Sequence, residues 1–345
     1  MSNANLRAAD RIKNDEFYTQ YADIQKEVNA YLEFNPNVFK DKTILLPCDD
    51  PEWSNFTKFF AQNFDNFGLK KLISTSYAIE SKSANIPYQP SLFEQTSPQY
   101  DQTKTRVKGK IFTLTRRSKG ITDIHHLKWN YLKGDGDFRS EEVTTLRDEA
   151  DIIVTNPPFS LFREFVAWIN HGKKQFLIIG NVNAITYKEV FPLIASNKIW
   201  LGVSNGAKEY IKPDGNFHKM GNTLWFTNLD HGRRHQPLQL MSMAENLKFS
   251  RHQKIKEYGY QKYDNYDAIE VPFTDAIPSD YKDAMGVPIS FLDKYCPEQF
   301  EILDGIGRYS ILTNEQTRKE GNYLSMINGK ALFFRLVIRH KGGTK

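Results

Sequence analysis

The stretch DIIVTNPPFSLF, residues 151–162, decides the fold. Four apolar or strand-forming residues run into Asn156-Pro157-Pro158-Phe159. There neither a helix nor a strand continues, because each proline fixes φ and lacks an N–H. The apolar run predicts a buried strand. Leu161, Phe165, Trp168 and Ile169 then recur at helical spacing. A strand, a rigid turn and a helix therefore follow one another here.

Outward from this unit the alternation repeats. DEFYTQYADIQKEVNAYLE (15–33) places Ile24, Val28, Tyr31 and Leu32 on one helical face. TILLPC (43–48) predicts a strand, and Ser54 has the chemistry of a helix N-cap. Phe56, Phe59, Phe60 and Phe67 read as one helical face closed by Gly68. LKKLISTSY (69–77), KQFLIIGNV (174–182), KIWLGV (198–203) and NTLWFTNL (222–229) supply further strands. Fully apolar strands alternating with helices predict a doubly wound α/β domain with a largely parallel sheet covered on both faces.

The 345 residues suit a large domain plus a smaller one. The first spans residues 1–230, with a polar, proline-punctuated surface insertion at 81–110. Regular alternation ends near Asp230, and residues 231–345 form a second region. Its first part carries Arg233, Arg234, Lys248, Arg251, Lys254, Lys256 and Lys262 against Glu245 and Glu257. With a net charge of +5, this permits a nucleic-acid partner without demanding one. A solvated lysine-rich face would look the same.

Cys48 and Cys296 stand alone, which excludes a disulfide framework or zinc-thiolate site. His231 and His235 lack the glutamate of a zinc hydrolase, and Arg139 falls where a calcium loop needs oxygen, so no metal is expected. No apolar run is long enough to span a membrane and no leader is visible, so a cytoplasmic location is expected.

The turn after the strand suggests a chemistry. An exocyclic amine on a nucleobase is a poor nucleophile because its lone pair is delocalised. Asn156 can accept one of its hydrogens, and a proline carbonyl of Pro157-Pro158 the other. Phe159 offers a flat face for an extruded base. The plainer reading, a strand ended by favoured turn residues, remains open here.

Asn156-Pro157-Pro158-Phe159 resembles motif IV of the amino-methyltransferases that use S-adenosylmethionine. NDEFYTQY, CDDPEWSNF, NFDNFGLKKLI, GDGDFRSEE, NVNAITYKEVF, NKIWLGV, KYDNYDAI and MGVPISFL, in this order, are similar to the EcoRI-type family of adenine-specific DNA methyltransferases. The resemblance implies a Rossmann-like catalytic sheet, S-adenosylmethionine as cofactor, and a flipped adenine in double-stranded DNA as substrate. It assigns Phe17, Tyr18 and Thr19 to the methionine end of the cofactor. Asp49, Asp50, Pro51 and Asn55, expected with Tyr77 at the cofactor, occupy the place where most of the wider superfamily has a glycine-rich loop, which this chain lacks. Asp137 and Phe138 match the pair that holds the cofactor adenine. The ribose acid has no match: its strand ends Ser74-Thr75-Ser76-Tyr77, and Glu80 comes later. Residues 231–345 become the target-recognition region, with Arg233, Arg234, Arg251, Lys254 and Lys256 as DNA contacts. A cognate restriction endonuclease and action as a monomer are further expectations. The same turn would also suit cytosine N4, an RNA adenine or a protein glutamine, and an inactive DNA-binding relative would share it.

Overall fold

The computed structural model describes residues 18–78, 98–116, 128–206, 209–211, 217–219, 221–306 and 325–341. The chain divides into two compact units, Met1–Val182 with Gly202–Leu229, and Asn183–Leu201 with Asp230–Lys345. The second therefore takes in Asn183–Leu201, a discontinuity that no boundary drawn along the chain reveals.

In the first unit, strand β1 (Tyr18–Thr19) precedes helix α1 (Tyr21–Phe34). The large sheet is built from β2 (Thr43–Leu46), β3 (Lys71–Thr75), β4 (Lys110–Thr115), β5 (Trp129–Tyr131), β6 (Ile152–Thr155), β7 (Gln175–Asn181), β8 (Trp200–Asn205) and β11 (Thr223–Thr227). Their order is β5-β4-β3-β2-β6-β7-β11-β8. Strands β9 (Glu209–Ile211) and β10 (Phe217–Lys219) join β1 in a separate three-stranded sheet.

The sheet is mixed rather than largely parallel. The pairs β2/β3, β2/β6 and β6/β7 are parallel. The pairs β3/β4, β4/β5 and β7/β11 are antiparallel. The apolar strands of the sequence are the buried central ones, as burial on both faces requires. The outward order reverses between β2, whose chain continues to β3, and β6 on its other side. That crevice is where ligands bind in open α/β sheets.

One face carries Ile44, Leu46, Ile152, Val154, Leu177 and Trp225, packed against Ile24, Val28 and Tyr31 of α1 and Phe56, Phe59 and Phe60 of α2 (Asn55–Gln62). Each such side chain contributes about 1.5–3 kcal/mol on burial. On the opposite face Phe162 opens α5 (Phe162–His171) and packs on Phe226 at 5.3 Å. Gly180 permits this approach, since a Cβ there would lie 2.5 Å from the Phe162 ring. Glu27 is fully buried in α1 and accepts from Val203 N (2.8 Å), Ser204 N (2.6 Å) and Tyr31 Oη (2.9 Å). It thereby ties α1 to the edge strand β8.

Several local readings need correction. Helix α1 starts at Tyr21 and not near Asp15, because Tyr18 and Thr19 pair with Ile211 and Tyr210. Helix α2 ends at Gln62, so Phe67 lies beyond it, and Gly68 (φ +63°) closes a later turn. Residues 81–97 lie outside the described residues, but α3 (Gln102–Val107), capped by Asp101, and Lys110, the first residue of β4, belong to the fold.

The second unit contains α6 (Phe191–Ala195), α7 (Met243–Phe249), α8 (Gln253–Tyr258) and a four-stranded sheet. Its strands β12 (Ile269–Glu270), β13 (Met285–Pro288), β17 (Arg335–His340) and β14 (Phe300–Ile306) lie in that order, and β15 (Met326–Ile327) and β16 (Lys330–Ala331) form a separate two-stranded sheet. No helix among the described residues is long and apolar enough to cross a membrane.

Candidate active site

The carboxyl ends of β2, β3 and β6 meet at the reversal of strand order. After Leu46 the chain leaves β2 through Pro47 to Ser54. Asp50 Oδ1 accepts from Glu52 N (2.9 Å) and its carbonyl from Ser54 N (2.9 Å), which folds the loop into a tight turn. Ser54 Oγ then accepts from Phe56 N (3.0 Å) and Thr57 N (3.4 Å), capping α2 as expected. Such a cap is worth about 1 kcal/mol.

Asp49 is 5% exposed and turned into the protein. Ser54 Oγ donates to its Oδ1 at 2.7 Å and Thr155 Oγ1 to its Oδ2 at 2.5 Å. Its amide donates to Thr75 O (2.9 Å), and its carbonyl accepts from Ser74 Oγ (2.5 Å). Burial pushes its carboxyl up to about 7, against the pull of Ser54 and Thr155. Asp49 thus joins three strand ends and one helix cap.

Asn156 follows Thr155 directly at the end of β6. Pro157 is buried, while Asn156, Pro158 and Phe159 are half-buried. Phe159 opens a short 3-10 turn to Leu161 and packs one side against the core. The turn is therefore anchored at both ends, by Thr155 on Asp49 and by Phe162 on β7.

Around this centre, Asn55 Nδ2 donates to Thr19 O at 2.8 Å, drawing β1 to the start of α2. Thr19 is 2% exposed, and its Oγ1 has no hydrogen-bond partner among the described residues. Tyr18 lies in β1, and Phe17 falls outside the described residues. Pro51 is buried in the loop after β2, and Tyr77 is half-buried just beyond β3.

Asp137 and Phe138 face different partners. Phe138 is buried against Phe165 (5.0 Å) and Trp168 (5.6 Å). Asp137 pairs with Arg139 at 2.7 Å. Burial acts to raise its carboxyl, but the bonds from Arg139 outweigh this and hold it below the ordinary range.

A second charged cluster was not legible in the sequence. Lys110 is 3% exposed, with its Nζ 2.5 Å from Glu52 Oε2, 3.6 Å from Asp50 Oδ2 and 4.7 Å from the Trp129 ring centroid. Glu52 is raised by burial, with Lys110 opposing. Lysine in the polar stretch RVKGK carries no sign of burial. Only the register of β4 against β3 brings it inside.

The basic region of the second unit separates into two groups. Arg234 is 7% exposed, stacked on Trp200 at 3.5 Å and bonded to Asp230 (3.0 Å) and Asn197 (2.7 Å). Its guanidinium is thus engaged within the protein. Arg251, Lys254 and Lys256 are exposed around α8, Arg251 pairing with Asp275 at 2.8 Å, and Arg233 is half-buried. Among the described residues no group of three or more His, Cys, Asp or Glu side chains is placed to hold a metal ion.

The Asn156-Pro157-Pro158-Phe159 turn thus stands at the crossover crevice of a mixed α/β sheet, an arrangement consistent with a methyltransferase-like fold. Residues 5–341 match the family described as adenine-specific methyltransferase EcoRI, and the chain belongs to this family of adenine-specific DNA methyltransferases. It is 42% identical to the type II methyltransferase M.EcoRI of Escherichia coli, over 99% of this chain and 97% of that one. It is 34% identical to the type II methyltransferase M.MpnI of Mycoplasma pneumoniae, over 96% and 97%. M.MgeORF184P of Mycoplasma genitalium, also named a type II methyltransferase, is 32% identical over the same shares. No solved structure matches the chain significantly.

Proposed function

We propose that this enzyme transfers a methyl group from S-adenosylmethionine to the N6 amine of an adenine flipped out of double-stranded DNA. The observation that carries the reading is the anchored Asn156–Phe159 turn at the carboxyl end of β6, beside the reversal of strand order. Asn156 accepts one amine hydrogen through its side-chain oxygen, and a proline carbonyl of the turn accepts the other. Together they draw the nitrogen toward tetrahedral geometry and aim its lone pair. Phe159, braced by the core, stacks on the extruded ring and offsets part of the few kcal/mol of flipping. No strong base is required, because the methylated amine is transiently cationic and loses its proton easily. Catalysis is placement.

The cofactor, when bound, supplies a methyl group activated on a sulfonium sulfur. The residues present suit it. Thr19 offers a buried hydroxyl with no hydrogen-bond partner among the described residues, and the loop after β2 offers the carboxylates of Asp50 and Glu52. The β3-β2-β6-β7 core, with helices on both faces, is the Rossmann-like frame for a nucleoside at the switch point. Asp49, bonded on both oxygens, serves in holding the frame.

Residues 231–345 act in target recognition, with Arg233, Arg251, Lys254 and Lys256 on phosphates or base edges. A cytoplasmic monomer working beside an endonuclease of the same specificity completes the reading.

The test is transfer of labelled methyl from S-adenosylmethionine to unmethylated duplex DNA, followed by nucleoside analysis. N6-methyladenine from the wild type and none from Asn156→Ala is the expected result. N4-methylcytosine, or label on RNA or protein alone, would replace adenine in DNA as the substrate.

A further inference from the structure

In doubly wound sheets a carboxylate about 20 residues beyond the first strand-helix turn accepts the ribose hydroxyls of the bound nucleoside. Here that place is the end of β3, and among its described residues, Ser74 to Ala78, there is no acid. The hydroxyls there are also engaged. Ser74 Oγ donates to Asp49 O (2.5 Å), and Thr75 Oγ1 donates to Pro47 O (3.1 Å). Ser76 Oγ accepts from Lys110 N at 3.3 Å. Ser74 and Thr75 are fully buried, and Ser76 is 5% exposed. Gly109 and Gly136 (φ +83°) close over the Ser76 carbonyl, where a Cβ on either would collide.

Lys110 brings a carboxylate to this place from elsewhere. Its backbone pairs with Ser76, whose amide donates to Lys110 O at 3.0 Å, so Lys110 stands at the end of β3. Its Nζ holds Glu52 Oε2 at 2.5 Å, and the Trp129 ring walls the ammonium on another side. Glu52 thus reaches the end of β3 from the loop after β2. Its side chain is 17% exposed, against 4% for Lys110, so the acid is the reachable member of the pair. A carboxylate accepts about four hydrogen bonds; Lys110 and the Trp129 side chain take one each, which leaves about two. The remaining acceptor positions suit hydroxyl donors.

We infer that Glu52, held by Lys110, accepts the ribose hydroxyls of the methyl donor in place of the missing acid at the end of β3. This rests on the S-adenosylmethionine reading above. Lys110 is then a positioning residue, and Asp50 shares its charge at 3.6 Å.

Calorimetric titration with S-adenosylhomocysteine and its 2′-deoxyribosyl and 3′-deoxyribosyl analogues tests this without catalysis. Wild-type protein should bind at least one deoxy analogue about tenfold or more weakly, as loss of a hydrogen bond to a charged group implies. Glu52→Gln should bind the parent compound weakly and discriminate little among the three, because the lost pair is common to both changes. Equal affinity of wild type for all three compounds would overturn the inference with no variant needed. So would full discrimination retained in Glu52→Gln, or discrimination lost in Glu80→Gln alone. Wild-type protein that binds none of them would instead bring down the methyl-donor reading itself.

Discussion

Thr155, the last residue of β6, donates from Oγ1 to Asp49 Oδ2 across 2.5 Å, and Asp49 belongs to the loop that leaves β2. The two residues are 106 positions apart and lie at the carboxyl ends of the two strands between which the sheet order reverses. The residue next to Thr155 is Asn156. One hydrogen bond therefore fixes the Asn156–Phe159 turn to the loop that leaves β2.

Thr155→Val tests this brace. The change keeps the shape and removes a donor from a buried carboxylate, at about 1–3 kcal/mol. Urea unfolding should show that loss. Turnover should fall more than cofactor affinity, because the turn carrying Asn156 loses its anchor while the cofactor contacts stay. A variant with wild-type kcat would show that the turn holds itself.

Asp49 also makes stability depend on pH. Its carboxyl is raised by burial from 3.8 to about 7, so the folded protein binds a proton between about pH 4 and 7 that the unfolded chain has lost. Stability from this group is present below pH 4, falls as pH rises through that window, and is constant above it. Asp49→Asn lacks the dependence. The stability of wild type relative to Asp49→Asn should therefore decline from pH 4.5 to pH 7.5 in parallel denaturant titrations, and a flat difference would count against a raised Asp49.

Asn156→Ala should lower kcat by about a hundredfold or more, as loss of a preorganised group at the reacting centre does. Cofactor affinity should change little. Phe159→Ala should cost about 1–3 kcal/mol of base stacking, seen in kcat/KM for duplex DNA, and Phe159→Tyr should restore most of it. Equal activity in all of these would remove the turn from the chemistry.

The cations of the second unit should separate by burial. Lys254→Ala combined with Lys256→Ala should weaken DNA binding and reduce the slope of log K against log salt by about 2, one unit per phosphate contact. Arg234→Ala should leave that slope unchanged and lower stability by about 1–3 kcal/mol, through loss of the Trp200 stack and the Asp230 and Asn197 bonds. Gel-shift titrations across a salt series, beside thermal melts, distinguish the two.

Much of this protein is written locally in its sequence. The apolar runs at 43–46, 71–75, 152–155 and 175–181 became the parallel centre of the sheet, because strands covered on both faces can hold little else. Ser54 caps α2 through its own hydroxyl, and two prolines end β6 wherever that strand lies. The family resemblance rested on the same short stretches. Tertiary structure decided what depends on distant partners. Tyr18 and Thr19 pair as a strand because β9 lies beside them, so the helix waits until Tyr21. Asn183–Leu201 joins the second unit across a break in the chain. Arg234 is drawn in by Trp200, 34 residues earlier, while Lys254 and Lys256 stay out. Lys110 is buried only because β4 pairs with β3 and Glu52 comes from another loop to meet it. Turn and strand propensities act within a few residues, whereas burial and charge pairing are set by whichever segments the sheet register brings together.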